Sequence, residues 1–419
     1  MRRRRLFGQF SGWSIPFTYS AVIVAVGSIL PRLEHRFLPR WDSTISVNSA
    51  IAITSSIASG MIALTGIVFS LVFVMVQFSA TAYSPRLVIW VARNPVMSHA
   101  LGMFTATFLY ALVFLAWIDR EASGTVPLIS ALLVFGLLLG SIAMFIALID
   151  RVGMLQINRM LIFTGDQGRK AIQELFVGSA PPAVKLPEFD PAKAVQTLRY
   201  TGRPQVIQRI DLPELVRLAR ESGAVIDVAA AVGNTLLDGA TLLRVYGARQ
   251  SLDEAELTQA FAVGDERTFE QDAKYALRLV VDIAIKALSP AINDPTTAVQ
   301  ALDQIEDLLL RLGRCNLDID AVCDDAGQLR VVVPFPDWED FLRLGLDEVR
   351  FYGSTSVQVM RRMNALIENL LEVLPPERHP ALKHWQTRLE GTVERSFSDR
   401  IEKQDASVAD RQGLGIGHE

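Results

Sequence analysis

The chain has 419 residues, of which 50% are hydrophobic, and its formal net charge is −4 at pH 7. This length suits two or three domains. The charge is divided unevenly, because residues 1–150 hold ten arginines, no lysine and five acidic residues, whereas residues 151–419 carry a net charge of −9. Nucleic-acid binding needs a basic surface, so the acidic second part argues against a nucleic-acid partner.

Four long apolar stretches occupy the first 150 residues, and one of them, residues 122–149, has no charged residue over 28 positions. A helix needs about 20 apolar residues to cross a bilayer, since the hydrocarbon core offers no water to satisfy the backbone. Residues 1–150 are therefore predicted to form a transmembrane block. The first stretch has no clear small-x-small cleavage site and is expected to remain as a span. The four predicted spans are approximately 13–30, 56–78, 99–118 and 126–149.

Arginine is distributed unequally between the two sides of this block. With four spans, eight basic residues near the span ends fall on the side that holds the chain termini, and four fall on the opposite side. Because basic loops stay in the cytoplasm, both termini and residues 150–419 are expected to be cytoplasmic. The two cysteines, Cys315 and Cys323, would then lie in a reducing compartment, and we expect them to be free thiols.

The remaining residues have the composition of a water-soluble mixed α/β domain. A helix is predicted near 151–177 and ends before Pro181. In the next segment, 204–210 has the pattern of a strand, and Leu212–Ser222 has the pattern of a helix with Asp211 as its cap. The predicted organisation is a connecting helix at 151–180, a small α/β barrel-like unit at 190–250, a mainly helical cytoplasmic domain with one β-hairpin at 251–400, and a flexible tail at 401–419.

The barrel-like prediction depends on the segment 232–245, in which Gly233 and Gly239 are spaced as in the hairpins of biotinyl- and lipoyl-type domains. Those domains attach their group to a lysine in a turn. No lysine occurs between Lys193 and Lys274. The pattern therefore indicates the shape of such a unit and argues against a swinging-arm carrier.

The mainly helical domain begins with Ser251 and Glu254, whose spacing is that of a capping box. A β-hairpin is predicted around the turn at 324–327, because short apolar runs flank it on both sides. The five amphipathic helices predicted in this domain lie at about 269–289, 295–312, 337–352, 354–373 and 380–398.

One side of the second predicted span carries small and polar residues. They recur at intervals of three, four or seven positions, which keeps them on one face of a helix; they are Ser55, Ser59, Ala63, Gly66, Ser70 and Gln77. One interpretation is close packing against other helices, because small side chains let backbones approach in lipid. The alternative is a stripe that lines a pore in an oligomer. Leu64 and Val68 are expected on the lipid-facing remainder of the helix.

The predicted spans have no Asp, Glu, Lys or Arg near their middles. Coupled transporters place ionisable groups there, so this absence argues against proton- or ion-coupled transport and is compatible with a passive pore. Just beyond the second span, Tyr83 and Arg86 suit the headgroup region as interface anchors, and contact with anionic lipid is the functional alternative.

The segment 287–297 joins two of the amphipathic helices. Asp294 is a suitable N-cap and Pro295 suits the first helical position, so a purely structural corner explains the motif. A ligand site is the alternative, because free N–H groups at the start of the second helix can hold an anion. The residues of this candidate site are Ser289, Asn293, Asp294, Thr296 and Thr297.

No catalytic signature is present. The sequence lacks the common nucleotide-binding, zinc-protease and serine-hydrolase motifs. The acidic cluster at 318–325 does not have the spacing of a calcium loop, and the five histidines are scattered. We therefore expect no catalytic residues, no metal, no cofactor and no enzymatic activity.

Six segments of the chain can be compared with a known family, and they are residues 66–86, 206–211, 233–245, 278–284, 288–295 and 410–415. Together they resemble a bacterial membrane-protein family described as domain of unknown function 2254, and the resemblance covers nearly the whole chain. It implies a four-helix membrane block and a cytoplasmic domain in a bacterial inner membrane. It implies no particular activity.

The residues themselves favour a homo-oligomeric passive channel or gated pore with a cytoplasmic regulatory domain. Its expected partners are the lipid bilayer and further copies of the chain, while the identity of any ion or small-molecule ligand stays open. The alternative is a non-conducting, membrane-anchored sensor or scaffold that binds a protein or a small ligand.

Overall fold

The computed structural model describes residues 14–37, 46–82, 95–118, 126–153, 157–176 and 189–415. The chain divides into two compact units, Met1–Gln156 and Ile157–Glu419. The first contains the apolar stretches found in the sequence, and the second contains every described strand longer than a single bridge.

The described part of the first unit is helical, and its four long helices are α1 (Ser14–Phe37), α2 (Val47–Ala82), α3 (Pro95–Leu115) and α4 (Leu128–Gly153). All four are long and apolar enough to cross a membrane, as predicted. The other three each pack against α3, whose Phe104 and Tyr110 are fully buried. The Thr107 and Ser141 hydroxyls lie 2.8 Å apart and join α3 to α4 within the apolar unit.

Among the described residues of this unit, one carboxylate is buried, and no sequence pattern indicates its role. Glu34, at the end of α1, is 4% exposed. Its oxygens accept hydrogen bonds from the backbone N–H of Ile129 at 2.7 Å and of Ser130 at 3.1 Å, and from the Ser130 hydroxyl at 2.9 Å. Glu34 therefore caps the N-terminus of α4, where the helix dipole favours a negative charge.

The described part of the second unit contains eight strands, which are β1 (Gln196–Arg199), β2 (Gln205–Ile210), β3 (Val225–Val228), β4 (Thr235–Leu236), β5 (Thr241–Tyr246), β6 (Phe261–Gly264), β7 (Ala321–Cys323) and β8 (Leu329–Val332). They form a five-stranded sheet in the order β1-β5-β3-β8-β7 and a three-stranded sheet in the order β4-β2-β6. Ile226, Leu243 and Val331 are fully buried in the core between these strands.

The barrel-like unit predicted at 190–250 is not supported, because both sheets of the described chain are open. Strand β3 pairs in parallel with β8, with Ile226 opposite Val331. Strand β2 pairs with β6 in the other sheet. Both partners lie outside the predicted unit, and the glycine spacing that suggested a barrel is a local signal that does not identify distant partners.

The helices of the second unit are α5 (Ile157–Phe176), α6 (Leu212–Ser222), α7 (Glu254–Gln259), α8 (Ala273–Ala287), α9 (Pro295–Arg314), α10 (Trp338–Tyr352), α11 (Val357–Val373), α12 (His379–Ser396) and α13 (Arg400–Ser407). Asp211 caps α6 and Asp294 caps α9, as the sequence indicated. The capping box expected at Ser251 and Glu254 is wrong, because Asp253 accepts the N–H of Ala255 instead.

The sequence predicts a flexible tail at 401–419, whereas in the structure residues 401–415 include a helix and a segment that is hydrogen-bonded to α11. Helix α13 is capped by Asp399, and its Ala406 is fully buried. Beyond it, the N–H of Asp410 donates to the carbonyl of Arg361, which lies on α11. The segment is held because hydrogen bonds to α11 replace those to water, which the composition of the tail does not reveal.

Candidate functional site

The stripe of small and polar residues on α2, hereafter the α2 stripe, comprises Ser55, Ser59, Ala63, Gly66, Ser70 and Gln77. All six are exposed. The buried residues of the same helix include Ala58, Met61 and Val68, and the last two pack in a cluster with Phe104 of α3. At 100° per residue the two sets lie about 150° apart around the helix. The described unit therefore packs the opposite side of α2 and leaves the stripe uncovered.

This arrangement corrects the expected position of the apolar residues on α2. Val68 is fully buried and Leu64 is partly buried, so neither belongs to a lipid-facing surface. Ile67, in contrast, is 64% exposed. The hydropathy period identifies a face of small residues, but it does not say which face has a neighbour. The predicted anchors Tyr83 and Arg86 lie outside the described residues.

The corner between α8 and α9 is held by its own side chains. The Asp294 carboxylate accepts the N–H of Thr297 at 3.1 Å and the Thr297 hydroxyl at 2.5 Å. The Ser289 hydroxyl donates to the carbonyl of Lys286 at 2.7 Å. Thr296 is exposed. The contacts account for Ser289, Asp294 and Thr297 as structural residues of the corner, because their polar atoms bind within it.

The backbone conformation at position 293 restricts which residue types fit this corner. Its φ is +51°, in the left-handed region that few residue types adopt easily. Its N–H donates to the carbonyl of Ser289 at 2.9 Å and closes the turn. Asparagine is tolerated there better than residues with a larger or branched side chain. The sequence motif did not show this backbone requirement.

A cavity of about 560 Å³ lies beside α8 and α10 in the second unit. Its wall includes the segment 334–336, which connects β8 to α10. Six charged residues line it, and these are Lys274, Arg278, Asp340, Arg343, Asp347 and Glu348. Five less polar residues complete it, and these are Ala231, Pro334, Phe335, Pro336 and Leu344. The site thus combines apolar surface with both signs of charge.

Most of the charges in this wall are already paired. Arg278 donates to both carboxylate oxygens of Glu348, at 2.5 and 2.9 Å. Asp347 accepts from Arg350 at 2.8 Å and from Arg388 at 3.0 Å. These contacts leave the carboxylates little capacity to hold a cation, since a paired and hydrogen-bonded carboxylate is already compensated.

Lys274 is the exception in the cavity wall. It is half-buried, and its side chain makes no hydrogen bond or ion pair with any residue that the structure describes. Burial lowers the pKa of Lys274 below its usual range, and the more distant carboxylates of Asp272 and Asp340 offset part of this effect. The ammonium group is therefore a half-buried charge without a close counter-ion.

The backbone next to Lys274 is held by an ion pair whose carboxylate is buried. Asp272 is 2% exposed and accepts three hydrogen bonds from Arg267, and it also caps α8 by accepting the N–H of Tyr275. Gly233 approaches this carboxylate so closely that a Cβ would lie 2.6 Å from Asp272 Oδ2. Its φ of +87° also favours glycine. The glycine-containing segment thus packs against the start of α8 instead of forming a barrel hairpin.

Sequence reasoning missed this cavity. Its residues come from α8, α10 and two connecting segments, which are separated by dozens of positions in the chain. One weak signal was available, because the run from Pro334 to Pro336 places an aromatic residue between two prolines directly after a strand. Cys315 and Cys323 lie elsewhere and are free thiols.

Comparison with known proteins supports the membrane character of this chain. A family model described as "Predicted membrane protein (DUF2254)" matches residues 10–369, a range that includes α1 to α4, both sheets and the cavity wall. The chain belongs to this family. The family assignment confirms the resemblance seen in the sequence, and the description of the family names no activity.

Two relatives of this DUF2254 protein are uncharacterised proteins of Mycobacterium tuberculosis and Mycobacterium bovis. Each is 26% identical to it over 420 residues, which cover 96% of this chain and 80% of the relative. No solved structure matches the chain. The relatives extend the family to mycobacteria and add no functional description.

Proposed function

We propose that this protein forms homo-oligomers in the bacterial inner membrane, with the α2 stripe at the subunit interface, and that the assembly is a passive pore regulated by the second unit. The observation that carries the proposal is the exposure of the stripe. Its small and hydroxyl-bearing residues occupy the side of α2 opposite to α3, within a helix apolar enough to span a membrane.

The shape of this surface suits a second helix. A Cβ added at Gly66 would meet nothing within 4 Å, so the stripe has open space in front of it. Ile62 and Ile67, which are 51% and 64% exposed, lie on either side. Small residues between larger ones form a groove, and helices in lipid associate where small residues let their backbones approach.

The chemistry of the stripe supports passive conduction. The candidate span Val47–Val74 contains no ionisable side chain. The Ser70 hydroxyl donates to the carbonyl of Gly66 at 3.1 Å, so it presents a neutral oxygen to its surroundings. A lining of hydroxyls and backbone offers no titrating group that could couple a solute to protons, and it would select weakly by charge.

Cysteine cross-linking in native membranes tests the interface. Cys315 and Cys323 are first replaced by serine, and then Ser59→Cys or Ser70→Cys is introduced. Ile67→Cys is the matched control, because this residue lies within one helical turn of Ser70 along the axis and about 80° around the helix from the centre of the stripe. We expect oxidative dimers from the two stripe variants and not from the control. Equal cross-linking of all three would contradict a stripe-centred interface.

Aqueous access separates a pore from a packed interface. The Ser70→Cys variant is treated with a membrane-impermeant thiol reagent, and ion flux is measured from liposomes that contain the protein. A pore predicts labelling of Ser70→Cys and a flux that this labelling reduces. Cross-linking without labelling or flux would reject the pore and favour the non-conducting sensor or scaffold instead.

A further inference from the structure

We propose that the cavity beside α8 binds a small organic anion, whose carboxylate or phosphate group pairs with Lys274 while its apolar body packs on Phe335. This inference concerns the second unit alone and does not depend on the pore. It starts from the one cation in the cavity wall that has no close partner among the described residues.

The charge arrangement favours an anion over a cation. Of the three carboxylates in the wall, Glu348 is held by Arg278 and Asp347 by two arginines. Asp340 accepts the backbone N–H of Asp337 in the capping box of α10. Each of the three carboxylates therefore already has a donor. The Lys274 ammonium has no close acceptor among the described residues. A half-buried ammonium gains more from a counter-ion than an exposed one, because water screens the pair less.

A second cation lies at the edge of the site. Arg343 is 3.7 Å from Asp340 and its side chain is 64% exposed. A contact of this length on an exposed side chain holds the guanidinium weakly. Arg343 can therefore turn towards an anion that enters the cavity, while Lys274 holds the inner end of that anion.

The size and the apolar wall indicate an organic ligand instead of a bare inorganic ion. The volume of about 560 Å³ lies within the range of about 300–1,000 Å³ that is common for small-molecule sites. Phe335 is half-buried between Pro334 and Pro336, whose rings restrict the backbone. The backbone that carries the aromatic ring is thus restricted before a ligand arrives, and a preorganised wall reduces the entropy lost on binding.

Calorimetry on the detergent-solubilised full-length protein tests this site with four probes. Phenyl phosphate and benzoate represent the two anionic groups on an aromatic body, inorganic phosphate has no such body, and phenol has no charge. We expect one or both aromatic anions to bind at least tenfold more tightly than inorganic phosphate and phenol. The stronger of the two identifies the preferred anionic group. Failure of both to bind at millimolar concentration would overturn the proposal.

Two variants and a control connect the binding to the residues. Lys274→Gln removes the charge and should weaken the preferred aromatic anion tenfold or more, whereas Lys286→Gln, on the same helix but outside the cavity, should leave it unchanged. Phe335→Ala should weaken the aromatic anion and leave inorganic phosphate unaffected. Equal effects of the two lysine variants, or no effect of Phe335→Ala, would refute the assignment.

A measurement on individual lysines of the wild-type protein needs no substitution, so misfolding of a variant cannot affect its result. The wild-type protein is treated with a limiting amount of acetic anhydride, and acetylation of each lysine is quantified by mass spectrometry with and without the preferred aromatic anion. We expect the anion to slow the acetylation of Lys274 at least fivefold and that of Lys286 less than twofold. Unchanged acetylation of Lys274 at saturating anion would show that the anion binds elsewhere.

Discussion

Substitution of Asp294 should loosen the start of α9 more than any other change in the corner. The side chain accepts the N–H of Thr297 and also its hydroxyl, and Thr297 is only 7% exposed. Loss of an N-cap costs about 1 kcal/mol. A buried hydroxyl left without its partner adds about 1 kcal/mol. For Asp294→Ala we therefore expect about 2 kcal/mol of local destabilisation.

Asn293 provides a matched test of the backbone. Asn293→Ala removes the polar amide and keeps a Cβ at a φ of +51°. This change should cost about 1 kcal/mol, because an alanine has no local hydrogen bond to offset the steric strain of the left-handed region. Asn293→Gly should be close to neutral or stabilising at this φ, because glycine adopts the left-handed region without a steric penalty. Thr296→Ala changes an exposed residue and should stay within about 0.5 kcal/mol of the wild type.

The assay is amide hydrogen exchange of α9 in the full-length protein, because a chain with two units need not unfold in one step. A change of about 2 kcal/mol corresponds to roughly 30-fold faster exchange of the first turn in Asp294→Ala. Exchange less than threefold faster, or an equal response to Asn293→Ala and Asn293→Gly, would refute this explanation. Loss of in-cell function in Thr296→Ala with unchanged exchange would instead show that the corner binds a ligand.

Three further predictions concern other parts of the chain. Glu34→Ala removes the cap of α4 and should lower the melting temperature of the first unit in detergent, whereas an unchanged melt would contradict the capping role. Burial raises the pKa of Asp307, but its hydrogen bonds with Arg311 and Arg169 outweigh this and leave the pKa below its usual value. Its stabilisation should therefore be complete above the unfolded-state pKa of about 3.9 and be lost as the pH falls through the lower folded-state value. Asp307→Asn should cost about 1 kcal/mol at pH 7 in urea unfolding, with a difference from wild type that disappears in acid. A reporter active only outside the cytoplasm should work when fused at Gly124 and fail at Glu419, and activity at Glu419 would reverse the proposed orientation.

Local signals in the sequence were sufficient for the apolar helices and several of their details. A run without charge long enough for a bilayer identifies a candidate span in any context, because the backbone must satisfy itself within the helix. Asp211 and Asp294 can also be identified as caps from the sequence, because a cap binds N–H groups that are only two or three residues away. The spacing of Ser59, Gly66 and Ser70 likewise placed them on one face of α2.

Tertiary structure decided everything that depends on distant partners. Ile226 lies beside Val331 in a parallel pair, and no local pattern in either strand specifies the other. The period of α2 is the same whether Val68 faces lipid or α3, and only the position of α3 shows that Val68 is buried. Lys274 looked like an ordinary lysine, and it became a candidate ligand residue only when folding placed it beside Phe335 without a carboxylate to pair with. Such a site arises from packing between elements far apart in the chain, so its residues share no spacing that a sequence could display.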